Sequence, residues 1–266
     1  MAGAGTQRPD PARVTLLWDG TNPAAATAAG ELRRQVPFVA ADEATVAVVL
    51  GGDGFMLRTM HRLLDAGSTI ALYGLNLGTV GFLLNGYRAS GLQERLASAQ
   101  PAVLHPLRVD AVGPDGSVLR ALAINEMSLL RASAQSAHVR LRIDDGAVEV
   151  DELQGDGVLV ATAAGSTAYN RSAGGPIVPL SAELVALTPI AGFRPRHWRG
   201  ALLDAATRIA IEAVDPGKRP VQAAADHHEL GRVVSVTVQR AVDRQLTLLF
   251  DPQHTLERRI LQEQFR

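Results

Sequence analysis

The sequence predicts an α/β N-terminal domain with a parallel sheet, followed by an all-β, sandwich-like C-terminal domain. Three observations carry that expectation. The run Val46-Ala47-Val48-Val49-Leu50 is apolar, β-branched and closed by Gly51-Gly52-Asp53-Gly54, as a buried parallel strand emptying into a loop would be. Strand, glycine loop and helix then recur up to about residue 100, in the rhythm of βα units. Beyond Pro101, alternating runs joined by Pro114-Asp115-Gly116 and Asp144-Asp145-Gly146 signal hairpins. The expected division is an α/β domain over 1–100, a β-rich domain over 101–251, and a closing helix within 252–266 that packs back on the body or on a partner chain.

Taken in order, residues 13–18 read as a first short strand and the Ala-rich 23–36 as a helix. After the Val46 strand, Phe55, Met56, Met60, Leu63 and Leu64 recur at helical spacing until Gly67 stops them, which makes that stripe core. The segment 68–73 is the next strand, and it opens into a second glycine loop over 74–83, on the same sheet edge as the first. Residues 89–99 form a short amphipathic helix. Strands are then expected at 107–112, 118–130, 137–143, 147–153, 157–161, 207–214, 220–225, 233–240 and 245–250. In 255–265, Leu256, Ile260 and Leu261 share one helical face.

Composition narrows the function classes. A chain of 266 residues can bury a full core, and a net charge of -1 offers neither a basic surface for nucleic acid nor an acidic tail. The absence of cysteine excludes disulfides, thiolate chemistry and Cys-ligated zinc, and fits a cytoplasmic protein. Residues 1–11 lack a signal-length apolar core and no stretch is pure enough to span a bilayer, so no membrane partner is expected. Lys218, the one lysine, lies in a Pro-Gly turn, which rules out a phosphate-loop lysine.

Chemistry therefore has to come from elsewhere. The glycines Gly51, Gly52 and Gly54 let backbone N–H groups approach an anion, with the following helix adding its positive end. A carboxylate beside phosphates is repelled unless it is needed, so Asp53 reads as the group that takes or orients a proton on a hydroxyl nucleophile; the alternative is a turn Asp bonded to its own backbone. Arg58 lies on the first turns of the same helix and Phe82 at the end of the second loop, either of them placed to meet a ligand or simply to pack. Asn125-Glu126, in an otherwise apolar strand, suits a sugar hydroxyl or a base amide. Gly155-Asp156-Gly157 repeats the Gly-Asp-Gly pattern. The run 162–176 is dense in small and hydroxyl residues around Tyr169, which permits close approach of a flat or phosphorylated ligand. Ser166 lacks the flanking glycines of a nucleophile elbow, no G-x-G-x-x-G is present, and the histidines have no metal spacing, so no metal-ligating residues are assigned.

Gly51-Gly52-Asp53-Gly54, the segment 76–83 ending in Gly-Phe-Leu, Asn125-Glu126, and Gly155-Asp156-Gly157 through Gly165-Ser166-Thr167-Ala168-Tyr169 to Gly174-Gly175-Pro176 occur in the order seen in NAD kinases. From about 46 to 191 the chain resembles that family in its bacterial, ATP-NAD kinase form. The resemblance implies transfer of the terminal phosphoryl group of ATP, or a similar donor, with a divalent metal such as Mg2+, to the 2′-hydroxyl of the adenosine ribose of NAD. It casts Asp53 as the catalytic residue and Gly54 as part of its loop. Asn125 and Glu126 would hold the dinucleotide, Asp156 its nicotinamide side, often from a neighbouring subunit, and Thr167, Ala168 and Tyr169 the adenine and ribose, with Ala164 and Ala191 nearby. Arg58, Phe82, Asn170 and Ser172 complete the expected substrate-binding set. The family works as a homodimer or homotetramer. Phe55 replaces a usual threonine and Gln154 a usual arginine, which leaves a noncatalytic NAD(P)-binding protein as the alternative reading; a lipid kinase sharing Gly-Gly-Asp-Gly is a more distant one.

Overall fold

The computed structural model describes residues 13–78 and 81–265. The expectations for residues 1–11, and for Thr79 and Val80 of the second glycine loop, lie outside the described residues. The chain divides into two compact units, Met1–Leu104 with Arg244–Arg259, and His105–Asp243 with Ile260–Arg266.

The first unit runs β1 (Val14–Trp18), α1 (Pro23–Arg33), β2 (Val46–Gly51), α2 (Asp53–Asp65), β3 (Ala71–Asn76), β4 (Asn85–Gly86), α3 (Leu92–Ser98) and β5 (Gln100–Leu104). Asn22 caps α1 by accepting from the Ala24 N–H at 3.0 Å, and Pro23 opens the helix where its missing N–H costs nothing. Alternation along β2 and β3 sorts the core. Val46, Val48, Leu50, Ala71, Tyr73 and Leu75 cluster with buried residues of α1 and α3. Gly74 has the opposite parity, and there Met56 of α2 and Leu84 press against the strand, so α2 covers the other face. The strand expected at 68–73 begins three residues later, because the Ser68 N–H bonds Leu63 at 2.9 Å and its hydroxyl accepts from Ile70, which spends those residues on the turn out of α2.

The sheet order is β1-β2-β3-β18-β5, with β4 beside β3. Here β18 (Leu246–Phe250) is the strand expected in the β-rich half, and it returns instead to pair parallel with β3 and antiparallel with β5. A buried polar network fixes its end: Tyr73 donates to Asp251 at 2.6 Å, Arg95 pairs with Asp251 at 2.7 Å, and the fully buried Asn85 donates to Leu249 at 3.0 Å and accepts from the Asp251 N–H at 2.8 Å. Such bonds form only in the assembled sheet, so local sequence pattern could not announce them.

The second unit contains β6 (Leu107–Val112), β7 (Val118–Ala123), β8 (Glu126–Arg131), β9 (Ala137–Ile143), β10 (Val148–Gly155), β11 (Gly157–Ala161), the short α4 (Tyr169–Ser172), β12 (Leu184–Ile190), β13 (Ala201–Asp204), β14 (Ile209–Ala213), β15 (Val221–Ala225), β16 (His228–Val233) and β17 (Ser235–Arg240). They form two six-stranded sheets, β10-β9-β14-β17-β6-β7 and β13-β12-β11-β8-β15-β16. Inward residues of both, among them Val109, Leu141, Ile211 and Val238 of one and Met127, Leu129, Val158 and Leu187 of the other, make one core. The division between the units falls within the last helix, α5 (Leu256–Glu263), after Arg259.

The expected strand at 118–130 is two strands in different sheets. β7 ends at Ala123 and β8 begins at Glu126, so Asn125 sits at the crossing rather than inside a strand. The cause is Asp226, whose carboxylate takes the N–H groups of Ile124, Asn125 and Glu126 at 2.6, 2.8 and 3.1 Å and so replaces a strand partner. β12 is absent from the expected set because Pro189 interrupts its pattern, although its residues from Ala186 to Ile190 pair with β11.

Candidate active site

At the carboxyl edge of the first sheet, β2 ends in Gly51 and Gly52 precedes α2 in an extended conformation. A Cβ at Gly52 would meet nothing within 4 Å, and one at Gly54 would meet only the Arg58 guanidinium at 3.6 Å. Neither position has a positive φ, so the fold itself does not require these glycines; what they leave is open space over exposed backbone. Gly51 differs, since a Cβ there would come within 3.0 Å of the Phe55 ring. Phe55 also carries the Arg58 and Arg62 guanidinium groups at 6.0 and 5.9 Å from its ring centroid, a packing use for the side chain found after Gly-Asp-Gly.

Asp53 opens α2, where a carboxylate meets the positive end of the helix. Its oxygens accept the backbone N–H groups of Phe82 and Leu83, each at 2.8 Å. These partners lie about thirty residues away, so Asp53 is not a turn Asp bonded to its own neighbours. The second loop reaches it because Gly81 lies against Asn76, where a Cβ would come within 2.5 Å of the side chain. Phe82 thus contributes its main chain to the site. The carbonyls of Gly81 and Phe82 in turn accept from Arg259, a residue that the sequence reading missed. Burial draws the Arg259 guanidinium below its ordinary value, with the Asp53 and Asp251 carboxylates opposing. Asp19 follows β1 on the same edge; the Thr21 hydroxyl and N–H hold its carboxyl below the usual range, with a smaller contribution from Arg58. Arg58 itself is exposed.

In the second unit a separate group gathers around the start of β8. Glu126 is largely buried, accepts the Tyr169 N–H, and has one oxygen without a hydrogen-bond partner. Burial, reinforced by the Asp226 carboxylate, pushes it up to about 7. The Tyr169 phenol is raised by burial and then by Glu126 and Asp156, which places these three groups within one electrostatic neighbourhood. Asp156 pairs with Arg131 at 2.6 Å. Gly165 brings the turn after β11 onto Asn125, where a Cβ would lie 2.1 Å from the Asn125 carbonyl oxygen. Thr162 completes that join by donating to Ile124 at 2.8 Å and accepting from the Gly165 N–H at 3.0 Å.

Ala164 is buried beneath this turn, Thr167 and Ala168 are half-buried, and Ser172 and Ala191 are exposed. Ala191 follows β12 with φ 46°, beside Gly155. Asn170 departs from its expected place in the binding set. It is fully buried, its amide donates to Ser166 at 3.3 Å and Pro176 at 2.8 Å, and its oxygen accepts from Thr188 at 2.6 Å. An amide turned inward this way replaces backbone bonds that the glycine-rich turn cannot make, so Asn170 is framework. Asp226, to which no sequence motif points, takes three N–H groups and so organises the Asn125-Glu126 corner. Among the described residues no group of three or more His, Asp or Glu side chains is placed to hold a metal ion.

A parallel-sheet edge with open glycines and a carboxylate fixed by two N–H donors defines a phosphate-handling protein of the α/β class. Residues 124–229 match the family model of the ATP-NAD kinase C-terminal domain. The chain is 54% identical over 235 residues to an NAD kinase of Hyphomonas neptunium, covering 88% of this chain and 91% of that one. Its fold matches a crystal structure of an NAD kinase from Archaeoglobus fulgidus in complex with ATP, with a TM-score of 0.73, 25% identity and coverage of 95% and 98%. It also matches yeast NADH kinase complexed with NADH, with a TM-score of 0.80, 21% identity and coverage of 97% and 88%. The chain belongs to the NAD kinase family.

Proposed function

We propose that this chain transfers the terminal phosphoryl group of ATP, or of a similar donor, to the 2′-hydroxyl of the adenosine ribose of NAD, giving NADP. The observation that carries the chemistry is Asp53, with two N–H donors holding its oxygens beside glycines that leave space above them. The ribose oxygen attacks the γ-phosphorus, its proton passes to the Asp53 carboxylate, and the bond from the γ-phosphorus to the β,γ-bridging oxygen breaks to release ADP. Backbone N–H groups at Gly52 and Gly54 receive phosphate oxygens, while Gly51, expected with them, is the buried end of β2 beneath the Phe55 ring. The divalent cation enters as part of the triphosphate substrate, where it offsets charge on the phosphates.

Asn125 and Glu126 hold the dinucleotide through its hydroxyl and amide groups. Glu126, with its unpaired buried oxygen, is suited to a ribose hydroxyl. Tyr169 offers its ring to the adenine, and Thr167 and Ala168 line the same surface, with Ala164 buried behind them. Asp156 serves the nicotinamide side from a neighbouring copy in a homodimer or homotetramer, a reading supported by exposed apolar side chains such as Phe193 and Leu202. We place the activity in the cytoplasm, on the absence of cysteine. No described helix is long and apolar enough to cross a membrane. The noncatalytic reading is not favoured by relatives that carry the kinase name over nearly their whole length.

The test is a product assay with NAD, magnesium and, in parallel, ATP, other triphosphates and polyphosphate. NADP formation with at least one donor is expected, and none from folded protein would refute the proposal.

A further inference from the structure

Two consecutive peptide units separate Arg259 from Asp53. The Gly81 carbonyl and the Phe82 N–H belong to one unit, and the Phe82 carbonyl and the Leu83 N–H to the next. In a planar trans peptide these two groups point in opposite directions, so an acceptor on one side and a donor on the other pull the unit the same way. That is the arrangement found. Arg259 Nη1 donates to the Gly81 carbonyl and, at 3.1 Å, to the Phe82 carbonyl, while the two N–H groups donate to Asp53 Oδ2 and Oδ1 at 2.8 Å. Arg259 is itself held from other sides, its Nε donating to the His254 carbonyl at 3.3 Å and its guanidinium lying 5.6 Å from the Phe250 ring centroid. Nothing in the Gly-Gly-Asp-Gly pattern points to it, since it lies on the last helix.

We propose that Arg259 is a positioning residue for phosphoryl transfer, acting on Asp53 through the two peptide units between them. Each unit is polarised by the cation at its oxygen and by the anion at its hydrogen, and hydrogen bonds in such a chain strengthen one another. The result is a carboxylate whose orientation is set by a side chain that does not touch it. Catalysis by a general base falls steeply with misplacement, so the effect belongs on kcat. The proposal rests on the assignment of Asp53 as the base.

The experiment is a double-mutant cycle on the full chain. Arg259→Ala is expected to lower kcat about 100-fold, with KM for NAD and for ATP changed less than about twofold. Arg259→Lys should recover part of kcat, because an ammonium keeps the positive charge but gives up the Nε bond to the His254 carbonyl that helps fix the side chain. In an Asp53→Asn background, followed in single turnovers at high enzyme concentration, Arg259→Ala should have no further effect. Arg258→Ala, one residue away and bonded only locally, should retain full activity in a protein of unchanged thermal midpoint.

Three outcomes overturn the proposal: unchanged kcat in Arg259→Ala, losses that multiply in the double variant, or a loss confined to KM for the triphosphate, which would make Arg259 a direct phosphate ligand. Full activity in Asp53→Asn alone removes the base assignment and this inference together. An inactive Asp53→Asn beside a fully active Arg259→Ala removes only this inference.

Discussion

Asp53 presents its two oxygens to two N–H donors, which changes what an amide would do there. In Asp53→Asn the new NH2 group faces one of those donors, so the variant loses the proposed base and also sets donor against donor. We expect turnover to fall about 100- to 10,000-fold and stability by about 1 kcal/mol, with dinucleotide affinity by calorimetry within about twofold of the parent. Retained turnover would clear Asp53 of the base role. Glu126 makes a second expectation at this scale. Its carboxyl is pushed up to about 7, above the ordinary 4.5, so between these values the folded protein binds more protons than the unfolded chain. Stability contributed by this group is therefore full below about pH 4.5 and is lost as pH rises through 7, by on the order of 3 kcal/mol. Glu126→Gln should flatten that fall in denaturant midpoints measured from pH 5 to 8, and an unchanged slope would contradict the burial argument.

Gly52 in the first loop and Gly165 in the turn after β11 differ in what they serve. Gly52→Ala should leave the thermal midpoint nearly unchanged, because the added Cβ meets nothing, yet lower activity by filling the space over the loop. Gly165→Ala should act in the opposite order, costing about 1–3 kcal/mol through its clash with the Asn125 carbonyl. Comparing melting curves and turnover of the two separates a glycine kept for a ligand from one kept for the fold. This difference also marks where the sequence was readable. The β2 strand, its glycine loop and the α2 stripe were legible, because their signals are local and periodic. The break between β7 and β8 was not, because a side chain about a hundred residues away supplies the missing hydrogen bonds. Asn170 was likewise placed by its neighbours in sequence, whereas its partners Thr188 and Pro176 decide its role.

Across the whole molecule, the fold class followed from the change of rhythm near Pro101, while the strand that completes the first sheet could not be assigned by order along the chain. β18 lies between β3 and β5, anchored by Asp251 to Tyr73, Arg95 and Asn85. Burial pushes the Asp251 carboxyl up, and the bonds from Arg95 and Tyr73 outweigh it, so the group ends below its ordinary value and stabilises the fold until acid protonates it. A chain cut after Asp243 would leave β3 and β5 with open edges and apolar faces. We expect it to be insoluble or rapidly degraded in limited proteolysis, and a soluble, protease-resistant product would contradict this.

During translation, the Gly-Gly-Asp-Gly loop leaves the ribosome some two hundred residues before Arg259 does. Until that tail emerges, the first sheet lacks an inner strand and the loop over Asp53 lacks its clamp. Interrupted synthesis therefore yields fragments that carry Asp53 without the Arg259 bonds to the loop above it, and on the proposed role of that pair, activity would wait for the last helix.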